Sequence, residues 1–314
     1  MTLLISSSDA MKQARTGRSA RNFPAKDDAR FSNRMLFPHL KPSFELHTGN
    51  MVFTIGSCFA RNIETRLDGF VLPTRSVDLP AVDIKARHGN GILNEFTPGS
   101  IAQRIRWALG AQDTTSLKAG YAGDEEKSYD TLFPKGKRRP LARLKEIRGL
   151  VDGVYANLAR SDAMIVTLGM AETWYDKDNE IWLNRMPEIA ELQAEPNRFQ
   201  FRIMSVDDSF MLLSEAFGGL IDGGMKKIIL TVSPVPLQTT FSGTDCVTAN
   251  SYSKSVMRVC AEQLRMRFVG VVDYFPSYEM VLSGGPAAFQ QDFVHPKEDV
   301  ISRVTEYMVR HYVV

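Results

Sequence analysis

The chain has 314 residues, 44% of them hydrophobic and 24% charged, with 38 Lys and Arg against 36 Asp and Glu for a formal net charge of +2. That balance excludes a disordered or fibrous chain and gives no charge signal for nucleic acid or a membrane surface, so neither is expected as a partner. Three cysteines do not make a disulfide framework, the apolar Leu3, Leu4, Ile5 run stops at Ser6, and no stretch approaches the roughly 20 apolar residues of a membrane span, so a reducing cytoplasm is expected.

Residues 1–45 are rich in Arg, Ser, Asp and Lys and are interrupted by Pro24, Pro38 and Pro42, which predicts an irregular arm ahead of a domain spanning 46–314. From Met51 onward five short apolar runs predict strands, at 51–55, 164–168, 227–232, 269–273 and, more weakly, 70–72. Nearly continuous runs of this kind suit a parallel sheet buried on both faces. Helical spacing falls between them, as a βαβ array requires. Phe59, Ile63 and Leu67 recur every four residues ahead of Gly69 as a C-cap, and Ile101, Ile105 and Leu109 follow Pro98. Ser205 is an N-cap with Asp208 three residues on, Val256, Cys260 and Leu264 form a stripe, and Val300, Val304 and Met308 form another.

Two segments break the alternation. Trp174 to Trp182 alternates around a polar turn and predicts a hairpin. Residues 111–147 are polar, then basic (Lys135, Lys137, Arg138, Arg139, Arg143, Lys145), with Arg148 just beyond. They predict a long, mobile surface insertion, or a lid that attracts an anionic substrate.

Chemistry can be placed at two points. In Gly56-Ser57-Cys58-Phe59 a strand runs through a glycine into two nucleophilic residues at a helix start, where a tight turn, backbone N–H groups and the helix dipole favour a nucleophile; small residues packed at a turn are the alternative. In Asp292-Phe293-Val294-His295 an acid three residues before a histidine can hold one ring nitrogen and leave the other as a base, although an incidental surface loop has the same spacing. His39, His47, His88 and His311 lack metal-ligand spacing, and no metal or redox cofactor is expected. Tyr274, Tyr278, Trp174 and Trp182 are either core or a sugar-stacking wall.

The string Gly56-Ser57-Cys58-Phe59-Ala60 resembles the signature of the GSCFA family, which is similar to the SGNH/GDSL hydrolases. Matching stretches continue at 91–101, 167–174, 231–237, 250–258 and 272–281. The resemblance implies a three-layer α/β/α sandwich with a flavodoxin-like parallel sheet and an esterase or acyltransferase activity. Its first block is Gly-Asp-Ser, so register places Cys58 at the nucleophile and Ser57 at the aspartate; Ser57 as the attacking residue stays open. Arg61-Asn62 falls where related esterases also carry Arg-Asn. The second block implies Gly91, or Gly89, in the oxyanion hole with Asn94 near it. The third, Gly-x-Asn-Asp, corresponds to Gly169-Met170-Ala171-Glu172, with alanine in the place of the asparagine donor. Asn250, Tyr252 and Lys254 open a helix after the 231–237 stretch and either face the pocket or serve capping and solvation. The implied reaction uses His295 as base, Asp292 to fix its tautomer and backbone N–H groups for the oxyanion. The implied substrate is an acylated small molecule or glycan, in surface polysaccharide biosynthesis, with a coenzyme A-type acyl carrier as an alternative partner. A thioesterase and a silent carbohydrate-binding module on the same fold are the competing functions.

Overall fold

Alternate residues of the strand Val52–Gly56 (β1) face opposite ways: Phe53 and Ile55 enter one apolar cluster and Val52 enters another, all three fully buried. A strand apolar on both faces needs helices on both, and this decides the architecture. The computed structural model describes residues 4–25, 27–74, 91–110, 112–117, 120–134 and 136–314, apart from the side chains of Arg18 and Ser19.

After β1 come the helices Cys58–Glu64 (α1), Pro98–Leu109 (α2) and Leu141–Tyr155 (α3) and the strand Ala163–Leu168 (β2). A three-stranded antiparallel insertion follows, Glu172–Asp176 (β3), Ile181–Leu183 (β4) and Phe199–Ile203 (β5). The helix Val206–Asp222 (α4), the strand Ile228–Val232 (β6), the helix Cys246–Arg267 (α5), the strand Val272–Tyr274 (β7) and the helix Glu298–Tyr312 (α6) complete the core. The central sheet is parallel throughout, in the order β7-β6-β2-β1. Beyond β1, Met51 makes a parallel bridge to Val71, so the predicted strand at 70–72 is reduced to a single bridge and the order is the flavodoxin-like 2-1-3-4-5.

One face packs on α2, α3, α4 and α5 through Ile105, Val154, Phe217 and Cys260; the other packs on α1 and α6 through Ile63 and Val304. Each fully buried Val, Ile or Phe contributes about 1.5–3 kcal/mol, so these layers dominate the stability. Helix starts follow the sequence. Ser205 and Asp208 form a reciprocal capping box on α4, and Thr97 and Ser100 form another on α2 with Pro98 in the first turn.

The structure departs from the sequence expectations at four places. The arm carries helices Ser7–Thr16 and Arg18–Arg21 and a hairpin of Phe31–Ser32 with Met35–Leu36, and it is fixed to the core by Met35, 2% exposed, with Phe37, Leu40 and Phe44 packed against the same cluster. The first core helix stops at Glu64, because the Thr65 hydroxyl donates to the Asn62 carbonyl and the chain tightens; Leu67 still reaches the core and Gly69 lies beyond, at φ +83°. The last strand begins at Val272, since the amides of Val271 and Val272 both turn back to the Phe268 carbonyl around Gly270, leaving Val269 exposed.

The fourth is the insertion expected as a loop or lid. Among its described residues Tyr129, Leu132, Phe133, Leu144 and Ile147 are buried, and a short hairpin pairs Tyr121–Ala122 with Tyr129–Asp130. Arg148, 1% exposed, donates to both carboxylate oxygens of Asp130 and to the carbonyls of Thr114 and Leu117. Arg138 pairs with Glu188 and Arg143 with Glu146, so these cations are matched within the fold. Lys135 lies outside the described residues.

Candidate active site

Gly56 closes β1 at φ +135°, and a Cβ there would stand 2.2 Å from the Thr167 carbonyl oxygen, so a side chain is excluded by backbone. The turn leads straight into Ser57 and Cys58. Ser57 donates its N–H to the Thr167 carbonyl at 3.2 Å, and its Oγ accepts the Phe59 N–H at 3.3 Å, which makes it the N-cap of α1. It is 3% exposed. Cys58, the first residue of α1, is half-buried.

Neighbouring loops are tied to this turn by backbone hydrogen bonds. The Glu95 N–H donates to the Gly56 carbonyl at 2.8 Å, which lays the 3-10 turn Gly91–Leu93 and Asn94 alongside the end of β1. After β2, the N–H groups of Gly169 and Met170 both donate to the Phe96 carbonyl, at 3.1 and 3.0 Å. A Cβ on Gly169 would lie 2.5 Å from that same oxygen.

The loop before α6 is folded on itself: Gln290 N–H donates to the His295 carbonyl, and Lys297 N–H to that of Ala288. Within it Asp292 Oδ1 accepts the N–H groups of Val294 and His295, each at 3.0 Å, while Oδ2 lies 2.7 Å from His295 Nδ1. Phe293 sits at φ +54°, a costly conformation for a bulky residue, and one that the turn around Asp292 enforces. With Nδ1 engaged, Nε2 is the nitrogen left for proton transfer. The donated N–H groups and the ring hold the Asp292 carboxyl well below the usual carboxylate range, the backbone N–H of His295 acting most strongly.

These loops enclose a cavity of about 420 Å³ at the C-terminal ends of the parallel strands, within the usual size of a small-molecule site. Of the residues singled out from the sequence, Ser57, Cys58, Gly91, Asn94, Gly169 and His295 line it, and Asp292 reaches it through His295. Glu172 does not. It is 7% exposed at the start of β3 and accepts the Thr240 hydroxyl at 2.8 Å. Lys254 does not open its helix but stands well inside α5, which starts at Cys246, and it lies behind the wall, 2% exposed, with Nζ donating to the Gly169 carbonyl at 2.6 Å; burial pushes its ammonium down to about 7, with Cys58 the group that pulls it back up. Gly89 and His88 lie outside the described residues. Ala171, in the place of the block's asparagine, is fully buried and lines nothing.

Two features go beyond the sequence reading, which placed Asn94 near the oxyanion hole but gave neither the wall after β6 nor a cavity position for Asn62. The segment after β6, from Ser233 to Thr239, forms one wall; its position after a strand of a parallel sheet was the available signal. Asn62 and Asn94 both line the cavity, and the side-chain oxygen of each is buried without a hydrogen-bond partner among the described residues. Tyr274 donates to Glu279, and Trp174 and Trp182 lie in or beside the antiparallel insertion, all away from the cavity. Among the described residues no cluster of His, Cys, Asp or Glu is placed to hold a metal, and no helix is long and apolar enough to cross a membrane.

Fold and site together define a three-layer α/β protein with a cysteine and an aspartate-held histidine at the strand ends. The GSCFA family model matches residues 51–308, and the chain belongs to the GSCFA family. No curated protein matches it. Among solved structures it is similar to two catalytic mutants of an acetylxylan esterase from Geobacillus stearothermophilus. One shows 14% identity and a TM-score of 0.36, the other 16% and 0.32, each over 86% of this chain and 96% of that one.

Proposed function

We propose that the protein is an acyl-ester hydrolase or O-acyltransferase acting on an acylated carbohydrate, with Cys58 as nucleophile. The observation that carries this reading is that Cys58 and His295 line one cavity while Asp292 fixes the His295 ring from behind. His295 Nε2 takes the thiol proton, the sulfur attacks the ester carbonyl, and the tetrahedral oxyanion is met by N–H groups at the ends of β1 and the Gly91 turn. Collapse breaks the ester C–O bond, and the His295 imidazolium returns the proton to the departing alkoxide. Water or an acceptor hydroxyl, deprotonated by His295, then attacks the thioester and restores the thiol. Asn62 and Asn94 bring two amide side chains to the cavity wall, and these polar groups favour a hydroxyl-rich substrate, which is the support for a carbohydrate.

The test is a panel of acetylated oligosaccharides, nitrophenyl acyl esters and acyl-coenzyme A thioesters, read by acid release and by acyl transfer. Turnover of the sugar esters is expected. Turnover of the thioesters alone would make the protein a thioesterase, and none at all, together with sugar binding, a silent carbohydrate-binding module.

The pH profile gives a second check. A carboxylate with a depressed folded value contributes its orienting interaction above the ordinary aspartate range and loses it only as pH falls through the depressed value, so Asp292 stays ionised across the neutral and mildly acidic range. The acid limb of log kcat/KM against pH is therefore expected to have a slope of about one. A slope near two would mean that Asp292 titrates in the same range.

A further inference from the structure

We propose that Lys254 is the buried counter-ion of Cys58, its ammonium stabilising the thiolate formed when the cysteine proton passes to His295. The proposal rests on Cys58 being the nucleophile but not on any particular substrate. Lys254 lies on α5, is 2% exposed, and places Nζ 2.6 Å from the carbonyl oxygen of Gly169, a residue that lines the cavity with Cys58. An ammonium has three donors and carries a full charge, and burying it without an anion is expensive. Among the described residues no carboxylate pairs with it.

The charged and titratable groups on the surrounding elements are otherwise committed. Arg61 on α1 pairs with Glu64, Glu172 on β3 accepts from Thr240, Arg258 one turn along α5 pairs with Glu262 and Glu279, and His295 is held by Asp292. Burial pushes the Lys254 ammonium down to about 7, and Cys58 is the group that pulls it back up toward the charged form. By reciprocity the same interaction favours the charged cysteine. The proton count is unchanged: Sγ loses one proton, His295 gains it, and Lys254 keeps its own.

A purely structural role has its own signature. Lys254 and Ser253 grip the two ends of one short loop, Lys254 through the Gly169 carbonyl and Ser253 by accepting the Ala171 N–H at 2.8 Å. Ser253→Ala therefore loosens the same loop without altering charge.

The experiment follows iodoacetamide alkylation of Cys58 against pH by peptide mass spectrometry, with thermal melts, in the wild type, Lys254→Met and Ser253→Ala. No acyl substrate is involved, so absence of esterase activity and absence of this ion pair are distinguishable. Lys254→Met is expected to move the alkylation midpoint upward and slow the reaction at pH 7 by roughly tenfold, while Ser253→Ala leaves the midpoint in place. If Lys254→Met does not melt cooperatively, Lys254→Gln carries the same test, since it keeps a donor for the Gly169 carbonyl and removes the charge. A midpoint unmoved by loss of the lysine charge, or moved equally by Ser253→Ala, would overturn the proposal.

Discussion

Replacing Cys58 with alanine is expected to lower acyl-ester turnover by at least about 10³-fold, because no other group replaces the attacking atom. Ser57→Ala is expected to stay within roughly tenfold of wild type, since its Oγ is occupied as the acceptor of the Phe59 N–H and its loss removes a helix cap rather than a reactant. The cap appears in the melting curve instead, as a stability loss of about 1 kcal/mol. Steady-state kinetics and thermal unfolding of the two variants check both statements. The reverse pattern, an active Cys58→Ala and a dead Ser57→Ala, would move the nucleophile by one residue and discard the register argument.

The second large effect is expected far from the cavity. Arg148→Met leaves Asp130, 3% exposed, without its cation, and also removes the donors to the carbonyls of Thr114 and Leu117. Breaking a buried pair from one side costs about 3–5 kcal/mol, so chemical denaturation is expected to show a loss in that range. Replacing Asp130 with leucine in the same protein should recover much of it, because the penalty lies in the orphaned charge. A loss below about 1 kcal/mol, the scale of an exposed pair, would show that the 120–148 segment is peripheral to folding.

That segment also shows where the sequence stops being legible. Leu144, Ile147, Val151 and Val154 are spaced as one face of a helix, yet they lie directly after a basic run, and in a polar stretch the charge pattern dominates the reading. Nothing in a single sequence pairs Arg148 with Asp130, 18 positions earlier, because a buried ion pair is a property of packing. The central sheet was legible for the opposite reason. Its strands are apolar at nearly every position, being buried on both faces, and the capping box at Ser205 and Asp208 is written in adjacent residues.

The site divides in the same way. Cys58 and His295 stand in local motifs that can be read along the chain, and the Asp292 turn closes within four residues. The place of Asn62 and Asn94 on the cavity wall depends on what surrounds them, as does the burial of Lys254 behind Gly169. Glu172, the last residue of the third block, is turned to Thr240 rather than to the cavity, because the chain enters the antiparallel insertion at that residue.

Whether Cys58 forms the acyl bond is decided most directly by trapping the intermediate. The protein is mixed with an activated acyl ester, quenched in acid, digested and sequenced by fragmentation mass spectrometry, with a parallel sample treated with neutral hydroxylamine. The expected result is one acyl group on the Cys58 sulfur, removed by hydroxylamine as a thioester is. An acyl group on the Ser57 oxygen that survives hydroxylamine, or turnover with no acylated peptide, would contradict it.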